Sequence, residues 1–226
     1  MANSEHYHGH RQRLKNRFLS DLGTGFSDYE LVELLLFNAL PRTDVKPLAK
    51  ALINRFGGFS ELIFADASEI KEISGAGDST VVALKSVQAA AIRLARMQIL
   101  DKPILSSWLQ LLDYCTTAMA REQIEQFRIL FLDRKNILIT DEVQQTGTVD
   151  HTPVYPREVI KRALELNASA IIMVHNHPSG DPAPSKNDIE ITDEIKEIGR
   201  KLGIVLHDHL IIGKNGHASF KSMGLL

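Results

Sequence analysis

The first hundred residues place hydrophobic side chains at the spacing of amphipathic helices. Apolar residues that recur every three to four positions predict helices rather than strands. Ser27-Asp28 is a good start signal for one such segment, and Gly57-Gly58 ends the next. The predicted helices are Tyr29 to Leu40, Lys46 to Phe56, Phe59 to Ile63, Ala67 to Ile73 and Ser79 to Leu100. The pattern therefore predicts a small all-α domain, which we place at residues 1–100.

The pattern changes after Asp101-Lys102-Pro103, where short apolar runs begin to alternate with helical segments. Helices are predicted at Ser106 to Ala118, Pro156 to Leu166 and Ser185 to Leu202. Strands are predicted at Phe127 to Leu132, Ile137 to Glu142, Ala170 to Val174, and near Ile204 to Leu206 and Leu210 to Ile212. Such alternation is typical of an α/β domain with a mixed sheet. We place this domain at residues 101–226.

Composition narrows the class of protein. The chain has 226 residues, of which 44% are hydrophobic, as in ordinary globular proteins. No apolar run approaches the ~18 residues needed to span a membrane, and the first residues lack a signal-peptide core. A single cysteine, Cys115, excludes an internal disulfide and fits a reducing compartment. We therefore expect a cytoplasmic protein without a membrane partner. The net charge of −2 does not by itself indicate a nucleic-acid binder.

A candidate metal site follows the predicted strand that ends at Val174. His175 and His177 are two residues apart in extended chain, so their side chains share one face. Asp188 lies one turn before the apolar stripe of the predicted helix, where an unpaired carboxylate would be costly to bury. That stripe contains Ile191, Ile195, Ile198 and Leu202. Three protein ligands with an open position are typical of a catalytic zinc site rather than a closed structural one.

Other interpretations of these residues stay open. Ser185-x-x-Asp188 is also close to a capping box, in which the serine caps the helix and the acid lies at its third position. A single histidine near a strand end is commonly a hydrogen-bonded structural residue. His207 and His209, which flank Asp208, fit either a structural role or a role in supporting the metal ligands.

The spacing of these residues has a known counterpart. His175-x-His177-Pro178, six residues and Ser-x-x-Asp resemble the JAMM motif of the MPN-type zinc metallopeptidases. Within that superfamily, His-Asn-His-Pro-Ser-Gly-Asp-Pro is similar to the bacterial RadC family. Further similarity lies in Val154-Tyr-Pro-Arg-Glu-Val159, Asp208-His-Leu-Ile-Ile-Gly213, His10-Arg-x-Arg-Leu-x-x-Arg-Phe18 and Pro41-Arg-Thr-Asp-Val-Lys-Pro47. The resemblance covers nearly the whole chain.

The resemblance implies a fold and a set of roles. The fold is a JAMM/MPN-like mixed-sheet domain with cytidine deaminase-like layering. One Zn²⁺ per chain would be held by His175, His177 and Asp188. The family's glutamate base lies at the end of a hairpin before Gly-Thr, and Glu142 matches that place ahead of Gly147-Thr148. Ser185 would support the oxyanion of a tetrahedral intermediate, and Glu158 is the reserve candidate for the base.

The segment Glu69 to Leu84 is similar to a helix-hairpin-helix. Such a hairpin offers backbone N–H groups, here around Gly75 and Gly77, to a phosphate of DNA without reading its sequence. Glu72 and Asp78 stand where basic residues would help, so a plain turn between packed helices stays an alternative. The positive charges expected to meet a nucleic-acid backbone are Arg11, Arg13 and Lys85.

Two hypotheses of function follow. The first is a zinc metallopeptidase that hydrolyses peptide or isopeptide bonds of an unspecified peptide or protein substrate through a zinc-activated water. The second is a DNA-binding, repair-associated protein whose metal site is structural, vestigial or nucleolytic. The two hypotheses use different domains and can both hold.

Overall fold

The computed structural model describes residues 5–146 and 154–226, and the chain divides into two compact units between Ala90 and Ala91. Within the two described ranges, no helix is long and apolar enough to cross a membrane. Each unit has its own hydrophobic core.

The first unit is helical. Its helices are α1 (Glu5–Asp21), α2 (Asp28–Ala39), α3 (Lys46–Phe56), α4 (Phe59–Phe64), α5 (Ala67–Lys71) and the beginning of α6 (Asp78–Met97). Leu36, Leu52, Leu62 and Leu84 are fully buried and form the centre of the core. Helix α1 was not predicted, because its polar sequence gives little apolar periodicity, and Leu14 is the only buried residue within its described part, residues 9–21.

The described residues of the second unit form a five-stranded mixed sheet with the strand order β2-β1-β3-β4-β5. The strands are β1 (Gln126–Leu132), β2 (Leu138–Thr146), β3 (Ala170–Asn176), β4 (Val205–Gly213) and β5 (Gly216–Ser219). The pair β3–β4 is parallel, and the other neighbours are antiparallel. The helices are α7 (Trp108–Met119), α8 (Pro156–Glu165) and α9 (Lys186–Lys201). This confirms the predicted mixed α/β domain preceded by a helical region.

The prediction of separate strands at Ile204 to Leu206 and Leu210 to Ile212 was wrong, because β4 is one strand from Val205 to Gly213, with an irregular register between Leu206 and Asp208. In the sequence, the polar residues between the two apolar runs predicted a break in the strand. In the fold, however, Asp208 is buried and its carboxylate accepts hydrogen bonds from the backbone N–H of His209 and the hydroxyl of Ser219. A satisfied polar side chain can therefore lie inside a buried strand.

The two faces of the sheet pack against different helices. Ile172 and Val174 belong to the core shared with α7, whereas Ile171 and Met173 belong to the core shared with α8 and α9. Side chains alternate along a strand, so His175 continues the series that faces α8 and α9. The fold thus brings the end of β3 beside the start of α9.

Candidate metal centre

Side chains from the end of β3 and the start of α9 converge in one cluster. The ligand atoms that His175, His177 and Asp188 offer all lie within 4.8 Å of one another. The Nε2 atoms of the two histidines are 3.0 Å apart, and the Asp188 oxygens lie 3.3 and 3.6 Å from them. Zinc bonds of about 2.0–2.2 Å at tetrahedral angles would separate neighbouring ligand atoms by about 3.3–3.6 Å. The spacing of this cluster therefore fits one metal ion.

Asp188 is positioned by the first turn of α9. Ser185 caps this helix, and its Oγ accepts a hydrogen bond from the backbone N–H of Asp188 at 3.1 Å. The Ser185 hydroxyl and backbone N–H both donate to Asp188 Oδ2, each at 2.7 Å. The capping box and the metal-ligand geometry are thus one arrangement, in which the cap leaves Oδ1 directed at His175.

The buried stripe of α9 differs in part from its prediction. Its buried members are Asp188, Thr192, Ile195 and Gly199. Leu202, which the pattern placed on the stripe, is 51% exposed. Asp188 itself is buried as expected, with a relative exposure of 9%. Asp188 and Thr192 contact histidines of the sheet, whereas Gly199 packs closely against the backbone of Ile204.

His177 is held in one tautomer by the loop that follows β3. Its Nδ1 lies 2.8 Å from the carbonyl oxygen of Asp181. A carbonyl oxygen only accepts, so Nδ1 carries the proton and Nε2 presents a lone pair to the cluster. Gly180, at φ +88°, makes the turn, and its carbonyl packs so closely on Gly213 that a side chain there would clash. This packing keeps the loop against the end of β4.

His175 is held by a chain of hydrogen bonds that starts in α9. The hydroxyl of Thr192 donates to the carbonyl of Asp188, so its oxygen accepts from His209 Nδ1 at 2.6 Å. His209 Nε2 then accepts a hydrogen bond from the Nδ1–H of His175 at 2.9 Å. This bond leaves the Nε2 lone pair of His175 free for a metal. His209 is fully buried, and burial holds its pKa well below the ordinary value, as a neutral acceptor requires.

The sequence left His207 and His209 open between two roles, and the structure separates them. His209 contacts His175 and belongs to the cluster's support. His207 bonds instead to the side chain of Asn136 at 2.6 Å. The difference follows from an irregularity in the β3–β4 register between Leu206 and Asp208, because in a regular strand His207 and His209, two residues apart, would face the same side of the sheet.

The charge and the lone pairs of the cluster favour binding of a cation. Two imidazole lone pairs only 3.0 Å apart repel unless a proton or a metal ion lies between them. The hydrogen bond to Asp188 raises the pKa of His177, with a further contribution from the nearby charge of Glu125. Burial alone would raise the pKa of Asp188, but its hydrogen bonds to both histidines outweigh burial and hold that pKa far below the usual range.

Metal affinity is therefore expected to fall as the pH falls, because a histidine binds a metal ion only as neutral imidazole. Asp188 stays ionised, so the proton that competes is the one whose affinity for His177 is raised. We expect zinc affinity to drop by up to about tenfold per pH unit as the pH falls below the raised pKa of His177. Chelator competition titrations from about pH 8 to about pH 6 measure this directly. An affinity that stays constant over that range, after correction for the chelator, would contradict the assignment of His177.

Glu142, the predicted base, lies on β2 and is paired with α8. Its neighbour on β1 is Ile129, whose neighbour on β3 is Met173, so Glu142 is on the same face as His175. Two strand spacings and two residues of rise put the Cα atoms of Glu142 and His175 about 12 Å apart. The Glu142 oxygens accept hydrogen bonds from Arg162 at 2.7 and 2.9 Å, and these bonds lower the pKa of Glu142. Gly147 and Thr148, which marked Glu142 in the sequence, lie outside the described residues.

A different carboxylate, Glu125, lies beside the cluster. It directly precedes β1, in which Phe127 is opposite His175 in the antiparallel pair with β3. Continuing this register by two residues brings Glu125 opposite His177, and opposite residues share a face of the sheet. Its charge contributes to the raised pKa of His177. Sequence reasoning missed Glu125 because its only signal is the alternation with Phe127, and the strand register that gives this alternation meaning is not visible in the sequence.

Glu158, the reserve candidate for the base, is exposed in the first turn of α8, 3.0 Å from Arg157.

The residues predicted to contact DNA lie in the first unit. Arg11 donates to the carbonyls of Phe37, Leu40 and Thr43 at the end of α2. Lys85 donates to the carbonyl of Ile63 and to Gln88, whereas Arg13 is exposed. Gly75 has φ +90° in the turn between α5 and α6, and Gly77 has open space around it.

Comparison with known proteins gives matches that span the sheet and the cluster. Residues 105–225 match the family model described as the RadC-like JAB domain. A UPF0758 protein of Rhodobacter capsulatus is 59% identical over 213 residues, which cover 94% of this chain and 100% of the relative. The matched residues 105–225 span the positions of His175, His177, Asp188 and Glu125.

Proposed function

Because the chain belongs to the RadC family, we propose that it is a zinc-dependent hydrolase that cleaves peptide or isopeptide bonds. The observation that carries the proposal is the convergence of His175, His177 and Asp188 within 4.8 Å, with both imidazole tautomers set by hydrogen bonds. Two imidazoles and one carboxylate favour zinc over magnesium, which prefers oxygen ligands. Three protein ligands leave a coordination position for chemistry.

A zinc ion held by His175, His177 and Asp188 would act as a Lewis acid and lower the pKa of a bound water to about 7. Glu125 is the carboxylate that we propose takes the proton of the attacking water and passes it to the leaving amine. The proposal is supported by the β1–β3 register, which puts Glu125 opposite His177 when it is continued by two residues, and by the contribution of the Glu125 charge to the raised pKa of His177. A general base has to reach the proton that it removes, and Glu142, tied to Arg162 two strands from β3, is less well placed. Glu142 remains the alternative that the sequence predicted.

Ser185 has a positioning role in this proposal. Its hydroxyl proton is donated to Asp188, and its oxygen accepts the helix N–H bond. Support of an oxyanion, the other role predicted for Ser185, would require the hydroxyl to turn away from Asp188. The structural observations therefore favour a hydroxyl that fixes the metal-binding carboxylate.

Metal-dependent hydrolysis is the direct test. We expect zinc-reconstituted full-length protein to release new amino termini from a pool of peptides and isopeptide-linked peptides, detected by mass spectrometry. The substitution Asp188→Asn should abolish this release because it removes a ligand charge. Asp193→Asn, the same change at an exposed position of α9, should leave it intact.

Two results would count against the peptidase proposal. The first is a fully zinc-loaded protein that releases nothing from any peptide or isopeptide pool. The second is metal-dependent cleavage of DNA without cleavage of peptides, which would favour the nucleolytic alternative. DNA contact through the first unit stays a prediction, since Arg11 and Lys85 are engaged with main-chain carbonyls.

A further inference from the structure

The residue between the two histidines of the cluster faces away from it. Asn176 is 1% exposed, and alternation along β3 directs its side chain to the face opposite that of His175 and His177. A buried amide needs partners for one oxygen and two N–H groups, because each unsatisfied group is costly. The hydrogen-bond partners of Asn176 therefore indicate the role of this side chain.

All three of those hydrogen bonds go to the main chain of one segment. Asn176 Oδ1 accepts from the backbone N–H of Gln126 at 2.9 Å. Its Nδ2 donates to the carbonyls of Glu122 and Ile124, at 3.3 and 3.2 Å. Glu122 and Ile124 belong to the connection from α7 to β1, in which residues 121–125 are neither helix nor strand, and Gln126 is the first residue of β1. The segment is thus fixed to β3 by a side chain.

The hydrogen bonds enclose Glu125. The carbonyl of Ile124 and the N–H of Gln126 belong to the peptide units on either side of Glu125. Because the Asn176 amide forms hydrogen bonds with both peptide units, it fixes the backbone of Glu125 relative to β3, which ends beside the two histidines. Small displacements of a catalytic group are costly, since a shift of about 1 Å can lower a rate by about 10²-fold.

We infer that Asn176 is a positioning residue that holds Glu125 beside His177, an inference that rests on the proposed function of this site. Only an amide supplies the required acceptor and two donors at this length. Aspartate has the same shape, and one of its oxygens can still accept from Gln126, but the other replaces Nδ2 and has no proton to donate to the carbonyls of Glu122 and Ile124. The repulsion between this oxygen and the two carbonyls should move the segment away from β3. Serine can still accept from Gln126 and is the partial replacement.

The test compares Asn176→Asp and Asn176→Ser in the zinc-loaded full-length protein, with Asn54→Asp as the matched change at an exposed position of α3. We expect one zinc per chain in every variant, because the amide faces away from the ligands. We expect kcat to fall by roughly 10- to 100-fold in Asn176→Asp with a small change in KM, and by less in Asn176→Ser. Asn54→Asp should behave as the wild type.

A double-mutant cycle with Glu125→Gln separates positioning from general weakening of the fold. If Asn176 acts through Glu125, Asn176→Asp should cost little further activity once the carboxylate is gone. An equal fold loss of kcat in both backgrounds would overturn the inference. So would an Asn176→Asp protein with wild-type kcat.

Hydrogen exchange provides a readout that does not depend on activity. The Gln126 N–H should lose protection in Asn176→Asp and regain part of it in Asn176→Ser, while thermal unfolding shows whether each variant is folded. Unchanged protection at Gln126 in a folded Asn176→Asp protein would overturn the inference by itself. A wild-type protein that binds zinc but hydrolyses nothing would instead defeat the proposed function, and the exchange data would still show whether Asn176 fixes the segment.

Discussion

The double substitution His175→Ala/His177→Ala is expected to reduce bound zinc from one ion per chain to a trace. Both Nε2 ligands disappear, and Asp188 alone cannot hold a zinc ion against buffer or chelator. Binding that depends on several protein ligands amounts to about 10–16 kcal/mol in structural zinc sites, so the loss of two ligands removes most of the affinity. Elemental analysis of protein purified without an affinity tag measures the stoichiometry.

Two comparisons make this result specific. His177→Ala alone tests the same point with less risk to the fold, because its side chain is 19% exposed whereas that of His175 is 1% exposed and bonded to His209. The double change His10→Ala/His217→Ala removes as many histidines outside the cluster and should leave the stoichiometry at one. Stoichiometric zinc that survives in His175→Ala/His177→Ala would show that the ion is bound elsewhere.

Substitution of the supporting residues should have smaller effects than substitution of the ligands. Thr192 and His209 make no direct contact with the metal position, yet they set the tautomer of His175. Loss of such outer partners commonly lowers metal affinity by about 10- to 100-fold. Helix α9 therefore contributes both the proposed ligand Asp188 and Thr192, whose hydrogen bond to His209 sets the tautomer of His175.

The convergence of the proposed metal ligands was predictable because their signals are local. Two histidines at a strand end and an acid at the third position of a helix are brought together by standard strand and helix geometry. The same local reasoning divided β4 into two strands, since the sequence does not reveal that Asp208 is satisfied by Ser219 and by main-chain N–H groups. Hydrogen bonds between distant segments decide whether a polar residue interrupts a strand.

The choice between the two glutamates depends on strand register, which the sequence does not contain. Glu142 precedes a Gly-Thr motif and is conspicuous in the sequence, whereas Glu125 lies in an unremarkable polar connection. Only the pairing of Phe127 with His175 brings Glu125 opposite His177. The bond of Glu142 to Arg162 is equally invisible before folding, because β2 and α8 meet only in the tertiary structure.

Glu125→Gln is expected to lower kcat by roughly 10²- to 10⁴-fold while zinc stays bound, because the amide cannot take up a proton. Glu142→Gln, the same chemical change on the same face of the sheet, should keep kcat within a few-fold of the wild type. It weakens a partly exposed ion pair with Arg162, and such pairs contribute only about 0–1 kcal/mol to the free energy of unfolding. Parallel measurements of zinc content, thermal unfolding and steady-state kinetics compare the two variants.

The two substitutions assign the proton transfer whichever way the result falls. A large loss of kcat in Glu142→Gln with a near-normal Glu125→Gln would make Glu142 the base, and would require the Arg162 pair to open during turnover. If Glu125 is the base, Glu125→Gln should also retain substrate that it binds but cannot cleave. Mass spectrometry of the material co-purified with zinc-loaded Glu125→Gln would then identify the substrate. Retained nucleic acid without any peptide would count against the peptidase proposal, since the cluster between β3 and α9 would then serve a different substrate.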